Sequence, residues 1–426
     1  MTLTLSLCIF ALTVVLIMTR PKPLNEATAA ALGAVAMFIT RIVLPAEGYE
    51  VLRNTANILL FFLGLMVIST VADQAGFFKW SAFKAVRLAR GNGRTLLLIV
   101  FGLGTVITIF FSNDATALIL TPIVFVLVTR LKLSPLPYVF ACAFIANTAS
   151  MFLPVSNPVN LLPVDRFGIT LGEYLRFSLL PSILAVSINI LIFFLIFRKD
   201  ISVSFKDEQP ESPVKIDAFF LFACSGLALT AVGYILASLY GKPLSWPALA
   251  GAAILLAGGF AFRRLKPASV GSGISWPIFL FIFSLALIVK GLENAGVTHY
   301  LGEAVISLSS KGTIGAILAV SFSTALGSNL VNNWSMMMVS VSSLGSIGHP
   351  VSSLSQSIIY STIMGADMGP NITIMGSLSS MLWLVLLRRR GLEIHPLQYL
   401  KLGLIITPPM LIVGALSIYI CSVLWG

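Results

Sequence analysis

Charge is what this chain of 426 residues lacks: 27 Lys and Arg and 16 Asp and Glu make up only 10% of it, where a soluble domain carries about 25%. That scarcity excludes an ordinary soluble enzyme. Cysteine is also sparse, and Cys8, Cys142, Cys224 and Cys421 stand singly within apolar runs, without CxxC or Cys/His spacing. They read as small packed hydrophobes rather than a zinc site or a disulfide framework. The three histidines, His299, His349 and His395, fall in loops or on a surface-lying segment. No Walker A sequence, zinc motif or nucleophile elbow occurs. No catalytic constellation, resident metal or cofactor is therefore expected, and any energy for work within the chain comes from an ion gradient.

What is there is apolar. Hydrophobic residues are 57% of the chain, mean hydropathy is +0.98, and runs near twenty residues recur, as in a polytopic α-helical membrane protein. A β-barrel is excluded because its strands alternate apolar and polar residues and these runs do not. The basic excess is dispersed in short loops rather than gathered on a stripe with aromatics, so the expected partner is the lipid bilayer and not a nucleic acid. The first run, 2–19, has no basic region before it and no small-residue cleavage site, and reads as a retained span.

Apolar segments fall at 2–19, 24–44, 54–72, 95–130, 135–165, 174–197, 217–240, 245–262, 275–292, 312–345, 353–387 and 398–425. Segments 95–130 and 312–345 are too long for one crossing, and each has a polar break, Ser112-Asn113-Asp114 and Asn332-Asn333. Segments 135–165 and 353–387 are interrupted by Pro, Gly and polar residues around Asn147 and Asp367. The interruptions recur at a fixed offset: Gly76 with Gly296 and Asn147 with Asp367 at 220, Gly93 with Gly312 and Asn113 with Asn332 at 219. The expected architecture is an all-α membrane protein of two inverted-topology repeats, 1–200 and 216–426, joined by a solvated cytoplasmic linker, 201–215. Each repeat has five crossings, one re-entrant hairpin (95–130 or 312–345) and one discontinuous helix (135–165 or 353–387). That makes ten transmembrane helices and two hairpins. Segments 77–90 and 297–309 are short and amphipathic and are expected to lie along the membrane surface.

On this path 20 of the 27 basic residues lie on one face, in loops 20–23, 73–94, 130–134, 198–216, 263–274 and 388–401. The positive-inside rule makes that face cytoplasmic and puts both termini outside.

Of sixteen acids, two sit inside interrupted membrane segments, Asp114 and Asp367. A lone carboxylate at membrane depth costs at least about 2.5 to 3.5 kcal/mol, so such residues face cavities and do work. Ser112, Asn113 and Asp114 occupy a hairpin tip, where the following half-helix presents its positive dipole end. Asn332 and Asn333 occupy the other tip without an acid. A pseudo-twofold axis would set Asn147, Thr148, Ser150, Ser156 and Asn157 against Asp367, Asn371, Thr373 and Ser377. Irregular backbone at that depth survives only against a cavity or covered by protein. The cluster holds hydroxyls and amides and no Lys, Arg or His, which suits a small neutral polyhydroxylated solute or a monovalent cation better than a carboxylate.

The stretch Phe111-Ser112-Asn113-Asp114-Ala115-Thr116-Ala117-Leu118-Ile119-Leu120-Thr121-Pro122-Ile123-Val124 resembles the first hairpin of the bacterial arsenite and antimonite efflux permeases, the ArsB family of the ion transporter superfamily. Gly76-Phe77-Phe78, Gly91-Asn92-Gly93-Arg94, Val155-Ser156-Asn157 with Val159-Asn160, and Gly365-Ala366-Asp367-Met368-Gly369-Pro370 with Gly376-Ser377-Leu378 extend the resemblance over most of the chain. It implies an inner-membrane exporter of arsenite and antimonite, coupled to proton influx and not an enzyme, in some members with a cytoplasmic arsenite-stimulated ATPase as partner. On that implication Asn113, Thr148, Ser150, Asn157, Asn332, Asn333, Thr373 and Ser377 bind the hydroxylated substrate. Asp114 and Asp367 carry the proton, and Ser112, Thr116, Asn147 and Asn371 line the site. Two positions depart from the family pattern: Asn147 stands where an acid is usual, and Trp334-Ser335 where Met-Pro is usual. The alternative is a sodium/proton antiporter or another ion-coupled small-solute carrier of the same superfamily.

Overall fold

The computed structural model describes residues 2–19, 21, 24–205, 215–309, 312–346 and 353–425. The acidic part of the linker and His349 lie outside the described residues. Helices account for nearly all of the rest. The first half of the chain forms α1 (Thr2–Thr19), α2 (Glu26–Ile39), α3 (Pro45–Gln74), α4 (Phe77–Ala89), α5 (Gly93–Phe111), α6 (Asn113–Ala115), α7 (Thr121–Arg130), α8 (Leu136–Thr148), α9 (Leu161–Phe167) and α10 (Leu171–Ile196). The second forms α11 (Ala218–Leu239), α12 (Ser245–Ala261), α13 (Pro267–Gly273), α14 (Trp276–Asn294), α15 (Val297–Ser309), α16 (Thr313–Val331), α17 (Asn333–Gly345), α18 (Ser353–Met368), α19 (Leu378–Arg389) and α20 (Pro396–Trp425).

Polar residues set the helix starts. Asn25 caps Thr28, Asn92 accepts from the Arg94 and Thr95 amides, Thr170 and Glu173 form a reciprocal box, and Asp217 accepts from the Phe220 amide, satisfying donors that lipid cannot. Among the described residues, eight helical stretches are long and apolar enough to cross a membrane; α1, α2, α8 with the turn after it, and α12 are shorter apolar ones. Large apolar side chains such as Leu12, Leu191, Leu195, Leu229 and Val423 point outward, the pattern of a lipid-facing belt.

The element boundaries repeat at an offset of 220. Helix α4 at 77–89 recurs as α15 at 297–309, and α5 at 93–111 as α16 at 313–331. The 3₁₀ turns 149–151 and 154–156 recur at 369–371 and 374–376. Packing repeats in crossed form: α3 lies along α12 and α14 along α2, while α10 and α20 pack on each other. This register corrects the sequence reading at the tips by one residue. Ser112 pairs with Asn332, the two non-glycine residues that turn each hairpin at positive φ (102° and 72°), and Asn113 pairs with Asn333. The shared Asn drew the sequence match to 219, but the break in the helix falls one position earlier in the first repeat. Asp114 is therefore equivalent to Trp334.

Both arms of the first hairpin return to the same end of the bundle, since α4 packs on both α5 and α7. Tyr138 at the start of α8 donates to the Gly93 carbonyl there (3.1 Å). The linker also begins there, and residues 201–205 are not a free solvated connector. The Gly93 amide donates to the Val203 carbonyl (3.2 Å), the Phe205 amide to the Gly91 carbonyl (2.8 Å), and Ile201 and Phe205 are buried. The basic loops 73–94, 198–205 and 263–274 thus gather at one end; Gly273 lies against Thr70 of α3.

Helix α18 touches α16 backbone to backbone: a Cβ added at Gly365 would lie 2.5 Å from the Ser321 carbonyl oxygen, whereas one at Gly102 meets nothing within 4 Å. Gly365→Val is expected to lower stability by about 1–3 kcal/mol, read as earlier thermal unfolding of the purified protein in detergent. Gly102→Val should leave the midpoint unchanged; equal shifts for both would refute the close approach.

Candidate functional site

The two hairpin tips and the two broken helices meet at the centre of the bundle. Crossed hydrogen bonds hold the broken helices together. Asp367 on α18 accepts from Asn157 Nδ2 at Oδ1 (2.7 Å) and from Asn160 Nδ2 at Oδ2 (2.8 Å). Asn147, 220 residues earlier, donates to Ser380 (3.1 Å) and accepts from Ser377 (3.3 Å), and Ser377 and Ser380 stand 220 residues after Asn157 and Asn160. The same two contacts are made from each side, once with a carboxylate and once with an amide. The hydrogen-bond donors to the buried Asp367 carboxyl are neutral amides, so hydrogen bonds rather than an ion pair hold it.

Asp114 stands in the first turn after the Ser112 break and accepts from the Ser379 hydroxyl. Beyond it the helix widens into a π turn over Thr116–Leu120, where Pro122 supplies no backbone donor. Asn113, Asp114, Asn157, Pro158, Asn333, Trp334, Ser377 and Ser379 line a cavity of about 10 Å³, room for a single water. Asp114 also faces a second cavity of about 400 Å³, lined by Phe62, Ser69, Thr70, Asp73, Ser112, Leu118, Ser269 and Ser272 among others, which runs to the end of the bundle that carries the basic loops. A third cavity, also about 400 Å³, occupies the related position in the other repeat: Val289, Glu293 and Met338 stand 220 residues after Ser69, Asp73 and Leu118. It shares no lining residue with the tip cavity. The tip cavity thus shares Phe62 and Asp114 with the cavity that runs to the basic end and no residue with the third. Neither the tip cavity nor the one continuous with it is lined by Lys, Arg or His, and among the described residues no His, Cys, Asp and Glu cluster could hold a metal.

Of the residues singled out from sequence, Asn113, Asp114, Asn157, Asn333 and Ser377 line the tip cavity, and Ser112 lines its extension. Asn332 is buried beside it and caps the Trp334 amide (3.1 Å). Asp367, Asn147 and Asn371 form the buried layer behind, where Asn147 donates to Asn371 Oδ1 (3.1 Å). Four hydroxyls are engaged elsewhere. Thr148 donates to the Phe144 carbonyl (2.8 Å) and accepts from Asn189 and Asn371 (both 2.9 Å), Ser150 donates to the Asn147 carbonyl (2.7 Å), and Thr373 donates to Asn329 Oδ1 (2.7 Å). Thr116 pairs with Thr108 across the hairpin (2.8 Å). Each of these satisfies the broken backbone or closes a hairpin rather than facing the cavity. Sequence reasoning missed Trp334, Ser379, Ser380 and Asn160 as site residues; the 220-residue register alone places Trp334 opposite Asp114.

Paired hairpins and paired broken helices about a central polar cavity are the construction of a membrane transporter. Two solved structures share it over nearly the whole chain: the Alcanivorax borkumensis YdaH transporter (TM-score 0.62, 15% identity, covering 99% of this chain and 97% of that one) and Neisseria gonorrhoeae MtrF (TM-score 0.56, 13% identity, 97% and 94%). The chain belongs to the family described as arsenical pump membrane protein, ArsB, whose profile matches residues 5–422. It is 35% identical over 412 residues to an arsenical pump membrane protein of Escherichia coli K12 and 33% identical over 412 residues to that of Yersinia enterocolitica, in each case covering 95% of this chain and 96% of the relative.

The crossed contacts make a measurable expectation. A double-mutant cycle of Asn157→Ala and Asp367→Ala, read as unfolding free energy in detergent, should give a coupling of about 0.6–1.7 kcal/mol, from the mean to the largest value for polar pairs between membrane helices. Additive effects would mean that the two side chains do not support each other.

Proposed function

We propose that the protein exports trivalent arsenic and antimony, as the hydroxylated arsenite and antimonite, from the cytoplasm in exchange for protons. The observation that carries this reading is the match at 35% identity across 95% of the chain to an arsenical pump membrane protein. The site chemistry supports it. A neutral trihydroxide offers hydroxyls to amides and a carboxylate, and Asn113, Asn157, Asn332, Asn333, Ser377 and Ser379 are the groups that would bind it. Moving it uphill requires a charge to move in its place, and Asp114 and Asp367 are the two interior groups able to take up and release a proton. The tip cavity holds about one water, so the substrate enters only when the tips part, with Asp114 exposed to the basic end when loading.

On this reading the protein lies in a bacterial inner membrane as two inverted repeats, 1–200 and 216–426 about the linker 201–215. The basic end is cytoplasmic, the termini are outside, and the proton-motive force drives export with or without an arsenite-stimulated ATPase seated on the basic end. Membrane-impermeant maleimide should label a cysteine at Ser272 from the cytoplasmic side only and one at Tyr49 from the outside only; the reverse result would turn the protein over.

In a host stripped of its own exporters, the wild-type protein should confer arsenite and antimonite resistance. Asp114→Asn should lose both resistance and uphill export in everted vesicles while being expressed at wild-type level. Export against a gradient by that variant would remove Asp114 from the mechanism, and a sodium-induced proton flux indifferent to arsenite would replace the function altogether.

A further inference from the structure

Asp114 reaches the basic end of the bundle through its cavity, but Asp367, 1% exposed, lines none of the cavities described above. Its two oxygens face Asn157 and Asn160, and behind Asn160 lies a file of buried aromatic hydroxyls. Tyr174 of α10 is within electrostatic reach of Asp367, with Asn160 between them. The Tyr360 ring sits 5.7 Å from that of Tyr174 and is stacked on Phe177 at 4.9 Å. Both tyrosines are buried, and among the described residues neither hydroxyl, nor Asn160 Oδ1, meets a protein partner at hydrogen-bonding geometry. Tyr360 in turn feels Glu173, which is partly exposed in the first turn of α10. Helix α10 is 26 residues long, about 39 Å, and its far end leads to the residues bonded to the basic-end loops. Glu173 therefore stands at the opposite end.

Core packing alone does not explain these hydroxyls. The related positions in the other repeat supply the comparison: Asn147 for Asp367, Ser380 for Asn160 and Phe140 for Tyr360 at 220 residues, and Tyr399 for Tyr174 at 225, because α20 begins 225 residues after α10. Tyr399 is satisfied there by Ser380 (3.3 Å), and Phe140 fills the place of Tyr360 beside it (ring centroids 6.1 Å) with no hydroxyl at all. The same packing is thus met without the second hydroxyl, and only the half that holds the acid has the complete file. Unpaired buried hydroxyls in series call for water between them.

We propose that Tyr174 and Tyr360, with intervening water, form the path by which Asp367 exchanges protons with the end of the bundle marked by Glu173, opposite to the end that Asp114 faces. In each transfer a hydroxyl oxygen takes a proton from one neighbour and releases its own to the next, so each tyrosine ends with one proton as it began, and its O–H turns back before the next proton passes. The two acids then address opposite ends of one molecule, which gives proton movement its direction. This rests on the reading that Asp367 takes part in proton coupling.

The test is Tyr174→Phe and Tyr360→Phe in proteoliposomes with a trapped pH dye. Arsenite-linked proton flux should fall by at least about tenfold in each variant, in keeping with the loss of a positioned proton-transfer group. Arsenite counterflow without a pH gradient, which moves no net proton, should stay at the wild-type rate and shows that the variants are folded. Proton flux equal to wild type in both variants would overturn the path and leave the coupling reading standing. Equal loss of counterflow and proton flux would make the tyrosines structural and also overturn it. A wild-type protein with no arsenite-linked proton flux would remove the coupling reading and the path together.

Discussion

Broken helices inside a membrane must find every hydrogen bond within the protein, and the rest of this structure follows from how that is done. The freed backbone of each break is met from within its own repeat, the Ser150 carbonyl by Asn160 and the Gly369 carbonyl by Asn329, while the side chains beside the breaks reach across: Ser377 and Ser380 of the second repeat bond Asn147, and Asn157 and Asn160 of the first bond Asp367. The centre belongs to neither half. The carboxyl at Asp367 is held between two amides, and the polar groups of the cavity wall are amides, hydroxyls and the Asp114 carboxyl.

The symmetry is one of backbone and not of chemistry. At three related places the halves diverge: Asp367 against Asn147, Asp114 against Trp334, Tyr360 against Phe140. Two equal halves would offer the same groups to both sides of the membrane and could give no preference for one direction over the other. Here the acid at the first tip has a bulky, 5% exposed tryptophan for its counterpart, so the tip cavity is walled by an aromatic ring on one side and a carboxylate on the other.

Much of this was legible in the sequence because the signals were long or costly. Runs of twenty apolar residues, two acids at membrane depth and a steady spacing between helix breaks have few alternative explanations. Single hydroxyls carried no such constraint. Thr148, Ser150 and Thr373 looked equivalent to Ser377 in a string of letters, and only the fold shows that three of them are taken up by carbonyls or by Asn329, while Ser377 faces the cavity. The one-residue slip at the tips had a similar origin. Asn113 and Asn332 match in type, yet it is the positive-φ residue, Ser112 in one and Asn332 in the other, that fixes the register.

The short bridge between 201–205 and 91–93 makes the two ends of the first repeat unequal. It ties the base of the first hairpin to the end of α10, which itself packs along α20 of the other repeat. The hairpin is thus fastened at both ends, at its base to the end of α10 and at its tip, where Ser112 and Asp114 sit, to the other repeat through the Ser379 hydroxyl.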